Sequence, residues 1–161
     1  MLTSVELMPD AARLWVYQAD RPFTQEELEV VHQLTQQFVQ GWAAHGAGLT
    51  ASYVVEHNQF VVLMVDESRE QASGCSIDSS VGLIREIESR LGLSLLDRSK
   101  IAVLQDDELR LYPLNGIKAA VQSGEIRPNA TVFNNAVSTY GDWKRSWRQP
   151  AQESWMGRFF S

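Results

Sequence analysis

The chain predicts an α+β fold. A ferredoxin-like split βαβ core, with an antiparallel or mixed sheet and two helices on one face, is followed by a C-terminal β and aromatic helical extension. Three observations lead there. The first six elements run β-α-β-β-α-β. Two strand runs, Leu14 to Tyr17 and Phe60 to Val65, are apolar without interruption, as central strands covered on both faces should be. The tail carries Trp143, Trp147, Trp155, Phe159 and Phe160, enough aromatic area for it, or a second subunit, to cover the sheet face that the helices leave open. Residues 1–161 then form one domain, with a core over 12–105 and an extension over 106–161 packed on the sheet.

Each element has a local reason. Leu14-Trp-Val-Tyr17 is a short apolar and aromatic run, hence a strand. Thr24-Gln-Glu-Glu27 is a capping box, in which the Thr24 hydroxyl accepts from the Glu27 N–H and the Glu27 carboxylate accepts from the Thr24 N–H. Leu28, Val31, Leu34, Phe38, Val39 and Trp42 follow along one helical face, and Gly46 or Gly48 closes the segment. Leu49 to Glu56 and Phe60 to Val65 are β-branched runs joined by His57-Asn58-Gln59, a hairpin connection. Val81, Ile84, Ile87 and Leu91 mark the second helix, with Gly92 placed to end it. Ile101 to Gln105 and Glu108 to Tyr112 flank Asp106-Asp107 as two more strands. Asn115 is positioned to cap a short helix, and Thr131-Val-Phe133 reads as a last strand.

Composition excludes several classes. In 161 residues there is no run of the roughly 20 apolar residues that a membrane span needs. The N-terminus lacks the basic and apolar regions of a secretory signal, and the single Cys75 suits a reducing compartment, so a soluble cytoplasmic protein is expected. The net charge is −6, and the +2 tail from Tyr140 leaves −8 on the rest, which disfavours nucleic acid. Lys144, Arg145, Arg148 and Arg158 interleave with aromatic residues. Trp143/Trp147 and Trp155/Phe159 are i,i+4 pairs, however, so a helix packed on the sheet is the simpler reading. No Gly-Lys dipeptide occurs, which excludes a Walker-type ATPase.

Read as parallel neighbours, the first and third strands would open their C-terminal ends on one edge. The loops there, 18–23 and 66–80, lead into helix N-termini, where unpaired N–H groups favour a small anionic ligand. Asp20, Arg21, Gly74, Ser76 and Ser79 are the binding candidates. Arg21 and the N–H groups from Ser76 to Ser79 would hold the anion, Gly74 would admit it, and Ser76 or Asp78 could cap the helix. The alternative is an enzyme: Asp66, Glu67, Cys75 and Asp78 are the catalytic candidates. The carboxylates, with Asp20, would serve a hydrolase, with or without Mg²⁺ as its cofactor. Nucleophilic Cys–His catalysis is disfavoured. Cys75 follows the end of the third strand while His57 precedes its start, roughly 20 Å away; His45 falls on the same far edge and His32 is mid-helix. An acidic setting makes a buried, inert Cys75 the default. A third reading is a non-catalytic module whose sheet face or tail forms a homodimer.

Several stretches carry a resemblance across most of the chain. They are Pro9-Asp10 with Trp15 to Pro22, Trp42-Ala-Ala-His-Gly46, Glu56-His-Asn-Gln-Phe60, Val65-Asp-Glu-Ser68, Ala72 to Val81, and Phe133-Asn-Asn135. In these the chain resembles a small family of uncharacterised bacterial proteins often labelled ABC transporter ATPases. The resemblance implies no catalytic mechanism, and the missing P-loop contradicts the label. The sequence assigns no role to Asn134 and Asn135.

Overall fold

Strand β5 (Phe60–Asp66) organises the molecule, because its alternate residues enter two different cores. Val61, Leu63 and Val65 face one core; Phe60, Val62 and Met64 face the other. The structure is a computed structural model that describes residues 1–44 and 46–160; the reading of His45 lies outside the described residues. All six apolar residues from Phe60 to Val65 are fully buried, and each contributes roughly 1.5–3 kcal/mol of hydrophobic stabilisation. β1 (Arg13–Gln18) and β4 (Thr50–Glu56) flank β5, both antiparallel to it, giving the order β1-β5-β4.

Helices α1 (Gln25–Gly41) and α2 (Gly74–Leu91) cover one face of this sheet. Val31 and Val39 from α1 meet Leu83, Ile84 and Ile87 from α2 over the inner residues of the strands. The Thr24–Glu27 capping box forms as expected. Gly92, at φ 65°, ends α2 in the left-handed conformation that glycine adopts without a Cβ clash. α1 stops earlier than expected: Trp42 is its C-cap, and a small hairpin of β2 (Ala43–Ala44) and β3 (Ala47–Gly48) follows. The His57–Asn58 turn has positive φ at both residues, which bends the chain tightly between β4 and β5.

The other face of the sheet meets a second sheet. β6 (Lys100–Gln105), β7 (Glu108–Pro113), β8 (Thr131–Phe133) and β9 (Arg148–Pro150) pair antiparallel in the order β7-β6-β8-β9. Asp106 and Asp107, at φ 55° and 61°, make the two-residue turn between β6 and β7. Phe133, Trp143 and Trp147 fill the space between the sheets against Leu14, Val16, Phe60 and Met64. Helix α3 (Ile117–Gln122) and 3-10 turns at Ala151–Glu153 and Trp155–Phe159 cover the outer face of the second sheet. Trp143 belongs to α4 (Tyr140–Ser146), and Trp147 caps its C-terminus.

The α+β class with antiparallel sheets therefore holds, and the first five core elements are compatible with a ferredoxin-like arrangement. Four expectations change. β6 is not the fourth strand of the first sheet: it pairs with β7 and β8, so the second sheet starts at Lys100 rather than after residue 105. β1 is an edge strand. It reads as apolar because both its faces are covered, by the helices and by the second core, and coverage rather than strand position sets that pattern. Asn115 lies inside the 3-10 turn Leu114–Gly116 and does not cap α3, whose N-cap is Gly116. Trp143 and Trp147 cover the open sheet face, while Phe159 packs against the core on the far side of the second sheet and Trp155 meets it edge-on from a largely exposed position. Among the described residues, no helix is long and apolar enough to cross a membrane.

Candidate functional site

The edge predicted to hold a ligand does not assemble. β1 and β5 are antiparallel, with Gln18 opposite Phe60 and Arg13 opposite Val65. Loop 18–23 therefore leaves the end of the sheet where β5 begins, and loop 66–80 leaves the other end, roughly 20 Å away at strand spacing. The premise of parallel neighbours fails for a topological reason: in β-α-β-β order the hairpin reverses the third strand relative to the second and hence to the first.

Each end has its own structural duties. Asp20 and Arg21 secure the C-terminal end of α2, and Arg21 the first turn of α1 as well. Asp20 Oδ1 accepts from the Ser94 N–H at 2.9 Å, and the Arg21 guanidinium donates to the Leu91 carbonyl at 3.0 Å. Arg21 also grips Glu27 with two bonds of 2.7 and 2.8 Å, which holds the Glu27 carboxyl down to about 2. At the opposite end Ser73, rather than Ser76 or Asp78, is the N-cap of α2. Gly74 is the first residue of that helix. Ser76 is buried, donates to the Ser73 carbonyl, and offers its own carbonyl to the Trp42 indole at 2.9 Å. The Ser79 hydroxyl donates to the Cys75 carbonyl. Asp66 accepts from the Ser68 N–H, while Glu67 accepts from the Ala72 N–H and lies 3.8 Å from Arg13.

Cys75 is exposed rather than buried, because it lies on the outer side of the first turn of α2. His57 packs its ring on Phe60 and Phe133 at the far end of β5 from α2's first turn. Among the described residues, no group of three or more His, Cys, Asp or Glu side chains is placed to share a metal ion, and Asp20 is a sheet length from Asp66, Glu67 and Asp78.

A different region has the form of a site. Where β1 and the α2–β6 connection meet the ends of β8 and β9, a cleft of about 390 Å³ opens between the two sheets. That volume is at the small end of the range for small-molecule sites. Val16, Leu95, Ile101, Val132 and Phe133 form its apolar walls. Asp97, Arg98 and Lys100 line one side, and the carboxamides of Gln18, Asn134, Asn135 and Gln149 line the others. Among the described residues, neither Arg98 nor Lys100 has a carboxylate in ion-pair contact. Asp97 accepts from both the hydroxyl and the N–H of Ser99. Those bonds, with a smaller contribution from Lys100, hold its carboxyl below the usual range.

The carboxamides are oriented by a chain of hydrogen bonds with one defined direction. It begins at the buried Trp147 indole, which can only donate, and does so to Asn135 Oδ1 at 2.9 Å. The Asn135 amide nitrogen must then face Gln18 Oε1, 2.9 Å away. That in turn directs Gln18 Nε2 to the Lys100 carbonyl at 3.2 Å. Asn134 Oδ1 accepts from the Ala136 N–H, which leaves its NH₂ outward. Three of the four amide oxygens thus accept from donors within the chain. What remains to meet a ligand is mostly N–H: the amide nitrogens, a guanidinium and an ammonium.

Sequence reasoning passed over Arg98, Lys100 and Gln149, and Gln18 entered only as the start of a loop. One signal was present. Asn134-Asn135, directly after a buried strand, places two polar side chains where an apolar strand ends. Compared with known protein-family models, curated proteins and solved structures, the chain matches none.

Proposed function

We propose that this protein binds a small anionic molecule in the cleft between its two sheets. The observation that carries the reading is the excess of donors there. Arg98 and Lys100 lack ion-pair partners among the described residues, and the oxygens of Gln18, Asn134 and Asn135 are engaged while each of their NH₂ groups keeps at least one hydrogen to donate. A donor-rich, partly enclosed site suits a ligand that only accepts, as carboxylates and phosphates do. The ligand class is the one the sequence suggested; the location is different.

Thermal unfolding in the presence of small carboxylates and phosphates tests the reading. A ligand at 100 times its dissociation constant adds about 2.7 kcal/mol of stability to the folded protein. The double variant Arg98→Ala/Lys100→Ala should lose that response while keeping its own melting temperature within a few degrees, since both side chains are exposed. If no small anion raises the melting temperature, or the double variant responds as the wild type does, the proposal fails.

A further inference from the structure

The walls of the cleft say more about the ligand than its charge. Trp155 lines the opening and is 45% exposed, a large aromatic face held at the surface rather than buried. Phe159 meets it in perpendicular contact, with centroids 6.1 Å apart and planes at 83°, and among the described residues no ring stacks parallel on it. The 3-10 turn that carries both residues is fixed from beneath by the fully buried Met156 and by the Ser154 cap. Trp155 is thus a presented platform on a fixed segment. An exposed aromatic beside a cleft is a common means of holding a flat, apolar ligand body.

The polar side sets the head group. Arg98 and Lys100 with Asp97 leave one net positive charge along that wall. A single negative charge balances it, whereas a phosphate dianion would leave an excess. The aliphatic walls, Val16, Leu95 and Val132 among them, would gain nothing from a bare inorganic anion but would bury the faces of a ring.

We propose that the cleft takes a ring-bearing monocarboxylate of one or two fused aromatic rings. Its ring lies against Trp155 and its carboxylate is directed to Arg98 and Lys100. This rests on the anion-binding reading above and narrows it.

Isothermal titration of the full chain with benzoate, 2-naphthoate, cyclohexanecarboxylate, acetate and inorganic phosphate tests it. Benzoate or 2-naphthoate should bind about tenfold or more tightly than acetate and phosphate, and more tightly than cyclohexanecarboxylate, which has the same head on a puckered ring. Trp155→Ala should weaken the aromatic ligands about fivefold and leave acetate unchanged, while Trp155→Phe keeps most of the affinity. Circular dichroism melts of both variants should match the wild type, because Trp155 is largely at the surface. If acetate or phosphate binds as well as the aromatic acids, or Trp155→Ala leaves the aromatic acids unaffected, the aromatic class is overturned while anion binding stands. If none of the five binds, both readings fall.

Discussion

The first turn of α2 and the cleft between the sheets are both crowded with polar side chains, and they differ in where those side chains find partners. Around Ser73 to Ser79 the hydroxyls bond to backbone groups within the helix start, and Asp66 and Glu67 accept from N–H groups of their own loop. In the cleft, Arg98 and Lys100 reach no carboxylate, and the amide NH₂ groups retain donors after the internal chain is complete. Polar density in a sequence counts both situations alike. Only the unsatisfied donors offer a ligand more than water does.

The largest expected effect lies at Trp147, the residue that orients Asn135 of the cleft wall. Trp147 is fully buried, with Phe133, Phe60 and Trp143 at centroid distances of 4.8, 5.0 and 5.3 Å. Trp147→Ala should cost about 3–5 kcal/mol in chemical denaturation. Trp147→Phe should retain much of that stability but weaken anion binding, because Asn135 loses the donor that orients it. A Trp147→Phe protein with unchanged anion affinity would break the link between the hydrogen-bond chain and the site.

At the other region the signs should reverse. Ser73→Ala removes the hydroxyl that accepts from the Ser76 N–H at 3.1 Å and should cost about 1 kcal/mol of stability with no change in anion affinity. If it weakened binding instead, the first turn of α2 would return as the site.

The smallest effect concerns the Arg21–Glu27 contact and depends on pH. The two bonds from Arg21 hold the folded-state Glu27 carboxyl down to about 2, against about 4.3 in an unfolded chain. Its contribution is therefore present in full above about pH 4.3 and is lost as the pH falls toward about 2. In denaturant titrations at stepped pH, Glu27→Gln should be less stable than wild type near neutrality, with the gap closing in acid. A gap independent of pH would mean that the carboxylate's charge does not matter to the contact.

Much of the fold was legible from local signals. The capping box at Thr24, the end of α2 at Gly92 and the two-residue turn at Asp106-Asp107 are encoded within a few residues, and they form as read. The site was not legible in that way. Gln18, Lys100, Asn135 and Trp147 are bound to one another across sequence separations of 82, 117 and 12 residues. No spacing rule links positions so far apart, whereas the Ser-rich run at 73–80 is contiguous and draws notice for that reason alone.

By itself the sequence determined the α+β class, the alternation of strands and helices, the caps and turns, and a chain with no span for a membrane helix. Each of these follows from periodicity or from the conformational limits of single residues. The tertiary structure decided that β1 and β5 run antiparallel, that β6 joins a second sheet, and that Arg98 and Lys100 stand over an apolar cleft. Strand direction and sheet membership depend on which long-range pairing buries the most surface, and that is a property of the whole chain rather than of any segment within it.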